Sequence, residues 1–107
     1  MVNAQSGVVM SRDEALAALR KNAAEIRALG ATALYLFGSA ARDEISADSD
    51  VDLFIDYEQD GSLDYFKLCR IEDLVGSALG RAVDLTTRAG LHPLLRDRIV
   101  KSSIRVL

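Results

Sequence analysis

The chain has one cysteine, no tryptophan and no long apolar run. A single thiol, Cys69, excludes a disulfide framework within the chain and a thiolate metal cluster, and it suits a reducing cytoplasm. No apolar run approaches the roughly 20 residues that a membrane helix needs. The first ten residues, MVNAQSGVVM, have neither a basic region nor a long apolar one, so no signal peptide is read there. Excess positive charge is missing too. A net charge of −3 argues against coating nucleic acid by bulk electrostatics, though not against a nucleotide whose charge is carried by metal ions. Length makes the last exclusion. A chain of 107 residues buries about 65% of its unfolded surface, enough for one core. No second lobe is available to wall off a cleft, so a large ligand lies on the surface or against another protein. Repeats, low-complexity segments and interdomain linkers are absent. We read residues 1–10 as an N-terminal tail and residues 11–107 as a single domain.

What is present is an ordinary globular balance, half apolar and 27% charged. Ser11-Arg12-Asp13-Glu14 is a capping box. Leu16, Leu19, Ala23 and Ile26 follow at helical spacing up to Gly30, which predicts one amphipathic helix over 12–29. Residues 32–37 (TALYLF) read as a buried strand ended by Gly38-Ser39. One or two helical turns are expected over 40–45, then turn chemistry at Ala47-Asp48-Ser49. Residues 50–57 (DVDLFIDY) alternate as a strand, with Asp50, Asp52 and Asp56 on one face and Val51, Leu53 and Ile55 on the other. Phe54 falls on the acidic face. A second helix is predicted over 63–79, ended by Gly80, and a short strand over 82–86 carries Asp84. His92-Pro93 opens a third helix with proline in its first turn, and the end of the chain offers a short edge strand. The order predicts one α/β domain.

Three features carry chemistry together. A strand ends in Gly38-Ser39, the next strand opens about ten residues later with Asp50-Val51-Asp52, and a third strand carries Asp84. Gly38 lets backbone approach a phosphate with no Cβ in the way, and Ser39 with the amides after it offers donors to an anion. Asp50 and Asp52 leave the same strand face with Cα atoms roughly 6.5 to 7 Å apart. Carboxylates so placed repel unless cations bind between them, and hard oxygen ligands suit Mg²⁺. A third carboxylate on a neighbouring strand would complete a two-metal site.

The stretch LFGSAARDEISADSDVDLFI resembles the signature of the DNA polymerase beta-like nucleotidyltransferase superfamily, and within it the minimal nucleotidyltransferases. The resemblance implies an α/β (α+β) core, a small mixed sheet covered by helices. It implies Gly38 and Ser39 as the triphosphate-binding turn, with Arg42 as the basic residue that commonly follows. It implies Asp50, Asp52 and Asp84 as catalytic residues and as ligands of two Mg²⁺ ions, with ATP as substrate. It also implies cytoplasmic AMP transfer to a hydroxyl. Many members of this branch resemble antitoxins that adenylylate tyrosine on a HEPN-type toxin, which makes such a toxin the expected partner. The alternatives are transfer to a small hydroxyl compound such as an aminoglycoside, and an antitoxin that acts by binding alone. The departure is Asp43, where relatives more often carry glycine, and a carboxylate there is expected to disturb the turn or repel phosphate. Asp56 is expected to be solvated, His92 to start a helix and Cys69 to pack.

Overall fold

The computed structural model describes residues 10–46 and 48–107. Residues 1–9 of the expected tail and Ala47 of the expected turn lie outside the described residues. Met10, assigned to the tail, packs half-buried against the core.

Helix α1 runs Arg12–Arg20, opened by the capping box. Ser11 Oγ accepts from Glu14 N at 3.0 Å, and Ser11 N donates to Glu14 Oε1 at 2.9 Å. The single helix expected over 12–29 is broken. Asn22 Nδ2 donates to the Ala18 carbonyl at 3.0 Å, the acceptor its own N–H would use in a continuous helix. That N–H turns to Leu19 O instead, a side-chain substitution for helical bonding that explains the break. Helix α2 then covers Ala23–Ala28.

Strand β1 is Ala31–Phe37 and β2 is Val51–Tyr57. Helix α3, Tyr65–Leu79, starts two residues later than predicted, because Asp64 Oδ1 accepts from Lys67 N at 2.8 Å and so caps it. It ends at Gly80, whose φ of +64° closes the last turn without a Cβ penalty. Strand β3 is Val83–Thr87, followed by a 3-10 turn over Arg88–Gly90. Residues 93–95 form a turn rather than the start of a helix, and helix α4 begins later, at Arg96–Ser102. His92 explains the delay: its Nδ1 accepts from Leu94 N at 3.2 Å and its carbonyl from Leu95 N at 2.9 Å. The expected edge strand is present as β4, Ile104–Arg105.

The strands form one mixed sheet in the order β3-β2-β1-β4, with β2 and β3 parallel and the other pairs antiparallel. Leu34 and Leu36 of β1, with Val51, Leu53 and Ile55 of β2, face the helices. They pack with Leu16, Leu19, Ile26, Ile71 and Val75 in the core. Register then dictates the other face. Phe37, Asp52 and Asp84 lie in one row across three strands, and Tyr35, Phe54 and Thr86 in the next. None of the helices among the described residues is long and apolar enough to cross a membrane.

Candidate active site

The turn after β1 is built on two buried alanines. Ala40 and Ala41, with Ile45, are buried beneath it. Arg42 N and Glu44 N donate to the Ser39 carbonyl at 3.1 and 2.8 Å, and Asp43 N donates to the Ala40 carbonyl at 3.1 Å. The helical turns expected over 40–45 do not form. Asp43 takes φ +61°, a left-handed conformation that no helical run can pass through. Gly38 has φ +69°, and a Cβ there would stand 2.5 Å from Asp52 Oδ2. Glycine is thus favoured twice, by its dihedral and by the room it leaves for the Asp52 carboxylate that lies against it. Ser39 is half-buried. Arg42 is exposed and paired with Glu44 Oε1 at 2.9 Å.

The second element is the start of β2. Val51 N donates to the Ala82 carbonyl at 3.0 Å, which brings the entry of β2 beside that of β3. Asp52 and Asp84 are register partners in this parallel pair, so their Cα atoms stand one strand spacing apart, about 4.8 Å. Asp52 is half-buried, while Asp50 and Asp84 are exposed. Burial holds the Asp52 carboxyl above the usual aspartate value, and the charges of Asp84 and then Asp50 push it the same way.

This donor set fits a hard divalent ion chemically, since the like charges that raise the proton affinity of Asp52 are those a cation would relieve. Among the described residues, no three His, Cys, Asp or Glu side chains are drawn together closely enough to hold a metal as they stand. The fit therefore lies in the type and placement of the donors and not in a closed coordination shell.

The far end of β2 departs from expectation. Asp56 is paired and only partly solvated: Arg88 Nε and an Arg88 terminal nitrogen (Nη2) donate to its two oxygens at 2.7 and 2.8 Å. The Arg88 hydrogen bonds hold the Asp56 carboxyl below the usual range, and the same bonds raise Arg88. The guanidinium also lies over the Tyr35 and Phe54 rings, 5.1 and 5.2 Å from their centroids. Sequence reasoning assigned Arg88 no part in the site. The signal it missed is that Asp56 and Arg88 close adjacent parallel strands, which brings residues 32 apart in sequence together. Beside this pair lies a cavity of about 290 Å³ lined by Ile55, Asp56, Tyr57, Gln59, Arg88 and Arg96.

Comparison with known proteins matches residues 16–106 to the nucleotidyltransferase domain family. A protein of Methanocaldococcus jannaschii, named as a candidate protein adenylyltransferase, is 38% identical over 72 residues, covering 67% of this chain and 75% of that protein. The protein adenylyltransferase MntA of Thermococcus cleftensis is 31% identical over 77 residues, covering 72% of this chain and 76% of its own. A solved structure of a candidate minimal nucleotidyltransferase superposes with a TM-score of 0.76 at 30% identity, covering 92% of this chain and 98% of that one. A toxin–antitoxin complex crystallised with AMP-PNP contains a chain of the same fold, with a TM-score of 0.64 at 21% identity and coverage of 82% and 72%.

Proposed function

The chain belongs to the nucleotidyltransferase domain family, and from that premise we propose that this nucleotidyltransferase moves AMP from ATP onto a tyrosine hydroxyl of a HEPN-type toxin in the cytoplasm. One observation carries the site assignment. Asp52 lies against Gly38, where a Cβ would meet its carboxylate, and is the register partner of Asp84 on the next strand. The turn that would hold the triphosphate therefore lies directly against one of the carboxylates that would surround the α-phosphate.

In this reading Gly38, Ser39 and the amides after them bind the β- and γ-phosphates, and Arg42 swings from Glu44 to the triphosphate. Asp50, Asp52 and Asp84 would hold two Mg²⁺ ions, which neutralise the triphosphate and stabilise the leaving pyrophosphate when bound. The tyrosine oxygen bonds to the α-phosphorus as the bond to the pyrophosphate oxygen breaks, and the hydroxyl proton passes to Asp84. Catalysis comes from positioning and electrostatics.

The acceptor assignment draws on the relatives named as protein adenylyltransferases and on the toxin–antitoxin complexes that share the fold. It also draws on the surface of this chain. Leu94 is 88% exposed and Leu95 44%. From Arg96 onward the chain carries Arg96, Arg98, Lys101 and Arg105 against the single acid Asp97, within a chain of net charge −3. A partner docking here presents apolar pockets with an acidic rim, a pairing that speeds encounter and fixes orientation.

The test is co-expression with a cognate HEPN-type protein, which is then weighed intact. A mass gain of one or more AMP groups, absent with Asp52→Asn, is expected. Tight binding with no such gain, in ATP and Mg²⁺, would replace this reading with antitoxin action by contact alone.

A further inference from the structure

Asp43 is the one residue other than glycine with a positive φ among the described residues. A side chain in that conformation persists only where its surroundings hold it. The backbone N–H that holds it comes from α1. The Arg12 N–H donates to Asp43 Oδ1 at 2.6 Å, and the Arg12 guanidinium donates to the Ala41 carbonyl at 3.1 Å. Arg12 is the first residue of α1, where an N–H has no acceptor within the helix and where a carboxylate meets the positive end of the helix dipole. One bond thus satisfies a free donor, a strained backbone and a charge next to the phosphate turn.

We propose that Asp43 is a positioning residue. By bonding the Arg12 N–H it holds its own backbone in the left-handed conformation that closes the turn over 38–44, and so ties nucleotide binding to the N-terminus of α1. The link to nucleotide binding rests on the reading of this turn as the triphosphate site. Glycine at 43 reaches the same φ with no tie to α1. Aspartate trades that freedom for an anchor, and its charge is engaged by α1 instead of opposing the phosphates.

Four variants separate these parts. Arg12→Pro deletes the N–H while keeping α1, because proline suits the first helical position. Ser11 already has the extended conformation, φ −77° and ψ 158°, that a residue before proline needs. Arg12→Ala removes the guanidinium alone. Asp43→Gly removes the anchor, and Asp43→Asn keeps an oxygen acceptor and tolerates the left-handed region.

Amide hydrogen exchange of residues 39–44 is measured without nucleotide, and MgATP affinity by calorimetry. In Arg12→Pro and Asp43→Gly, exchange should quicken and Kd should rise, each by about five- to tenfold, the loss expected for one solvent-exposed hydrogen bond. Arg12→Ala and Asp43→Asn should stay within about twofold, and Arg12→Pro combined with Asp43→Gly should be no worse than either alone, since both cut the same bond. Turn exchange in Arg12→Pro equal to that in Arg12→Ala would overturn the proposal. Should circular dichroism show α1 lost in Arg12→Pro, Asp43→Gly against Asp43→Asn decides it, as neither changes a residue of the helix, and equal exchange in those two overturns it. A wild-type chain that binds no MgATP sinks the proposed function instead, while exchange still decides the anchor.

Discussion

Strand β2 carries an aspartate near each end, and the two live in opposite worlds. Asp52 and Asp56 leave the same face of the strand, about 13 Å apart at the usual rise per residue. At the Asp52 end, burial and two more carboxylates raise the proton affinity. At the Asp56 end, a guanidinium donates to both oxygens and lowers it. Between them stands Phe54, fully buried and stacked on Tyr35 at 4.7 Å. Among the described residues, the chain supplies its own cation to one carboxylate and only like charge to the other. A fold selected for stability alone would pair both ends, because crowding like charges beside a half-buried carboxylate disfavours its ionised form. Leaving one end uncompensated is the pattern expected where function imposes the cost.

The divider between the ends should matter most. Phe54→Ala should cost about 3–5 kcal/mol, the usual penalty for emptying a buried aromatic site. That is a large part of a small domain's stability of about 5–15 kcal/mol. Denaturant unfolding checks it, and a loss under about 1 kcal/mol would mean that the aromatic layer does not hold the two ends apart.

Next comes the unpaired end itself. Asp52→Asn should lower AMP transfer by about 10²- to 10³-fold, the scale for losing one preorganised electrostatic group. The same substitution should raise the melting temperature measured without divalent metal, because it removes a repelled charge. Mg²⁺ should stabilise the wild type and not the variant. A variant that is both inactive and less stable would show that Asp52 is a structural residue.

At the paired end the expected effect is smaller and of opposite kind. Asp56→Ala should leave transfer within about twofold and cost about 1 kcal/mol of stability, a modest figure because the pair is partly exposed. The Arg88 and Asp56 side chains are 37% and 30% exposed. Lost transfer with unchanged stability would move Asp56 and its cavity into the active site.

How much of this contrast was legible in advance follows from how local each part is. Ser11 with Glu14, Gly38 with Ser39 and Asp50 with Asp52 each span a few residues, so their spacing alone predicts a cap, a turn and a shared face. Alternation in β2 separates the core from the acidic face, and it places Phe54 on the latter. What escaped depends on long-range pairing or on one side chain outcompeting the backbone. Asn22 breaks a helix whose apolar spacing is continuous. Asp43 turns left-handed with an anchor 31 residues away. Asp56 finds Arg88 only because β2 and β3 run parallel, and the direction of pairing is not written in either strand.

The smallest effect is the most discriminating, because its sign differs at the two ends. Both carboxyls start from an ordinary value of 3.8. Asp52 is raised in the fold, so the folded state holds its proton more tightly than the unfolded chain does. Its contribution is favourable at low pH and is lost as pH climbs from 3.8 through the raised value. Asp56 is lowered in the fold, so its contribution is present above 3.8 and is lost as pH falls through the depressed value. Thermal melts of metal-free protein between about pH 3 and pH 7 should therefore diverge in two ways. The advantage of Asp52→Asn over wild type should grow as pH rises above 3.8, and the deficit of Asp56→Ala should shrink as pH falls below it. Parallel curves for the two variants would mean that the ends of β2 share one electrostatic environment, and the contrast between a paired and an unpaired carboxylate would be lost.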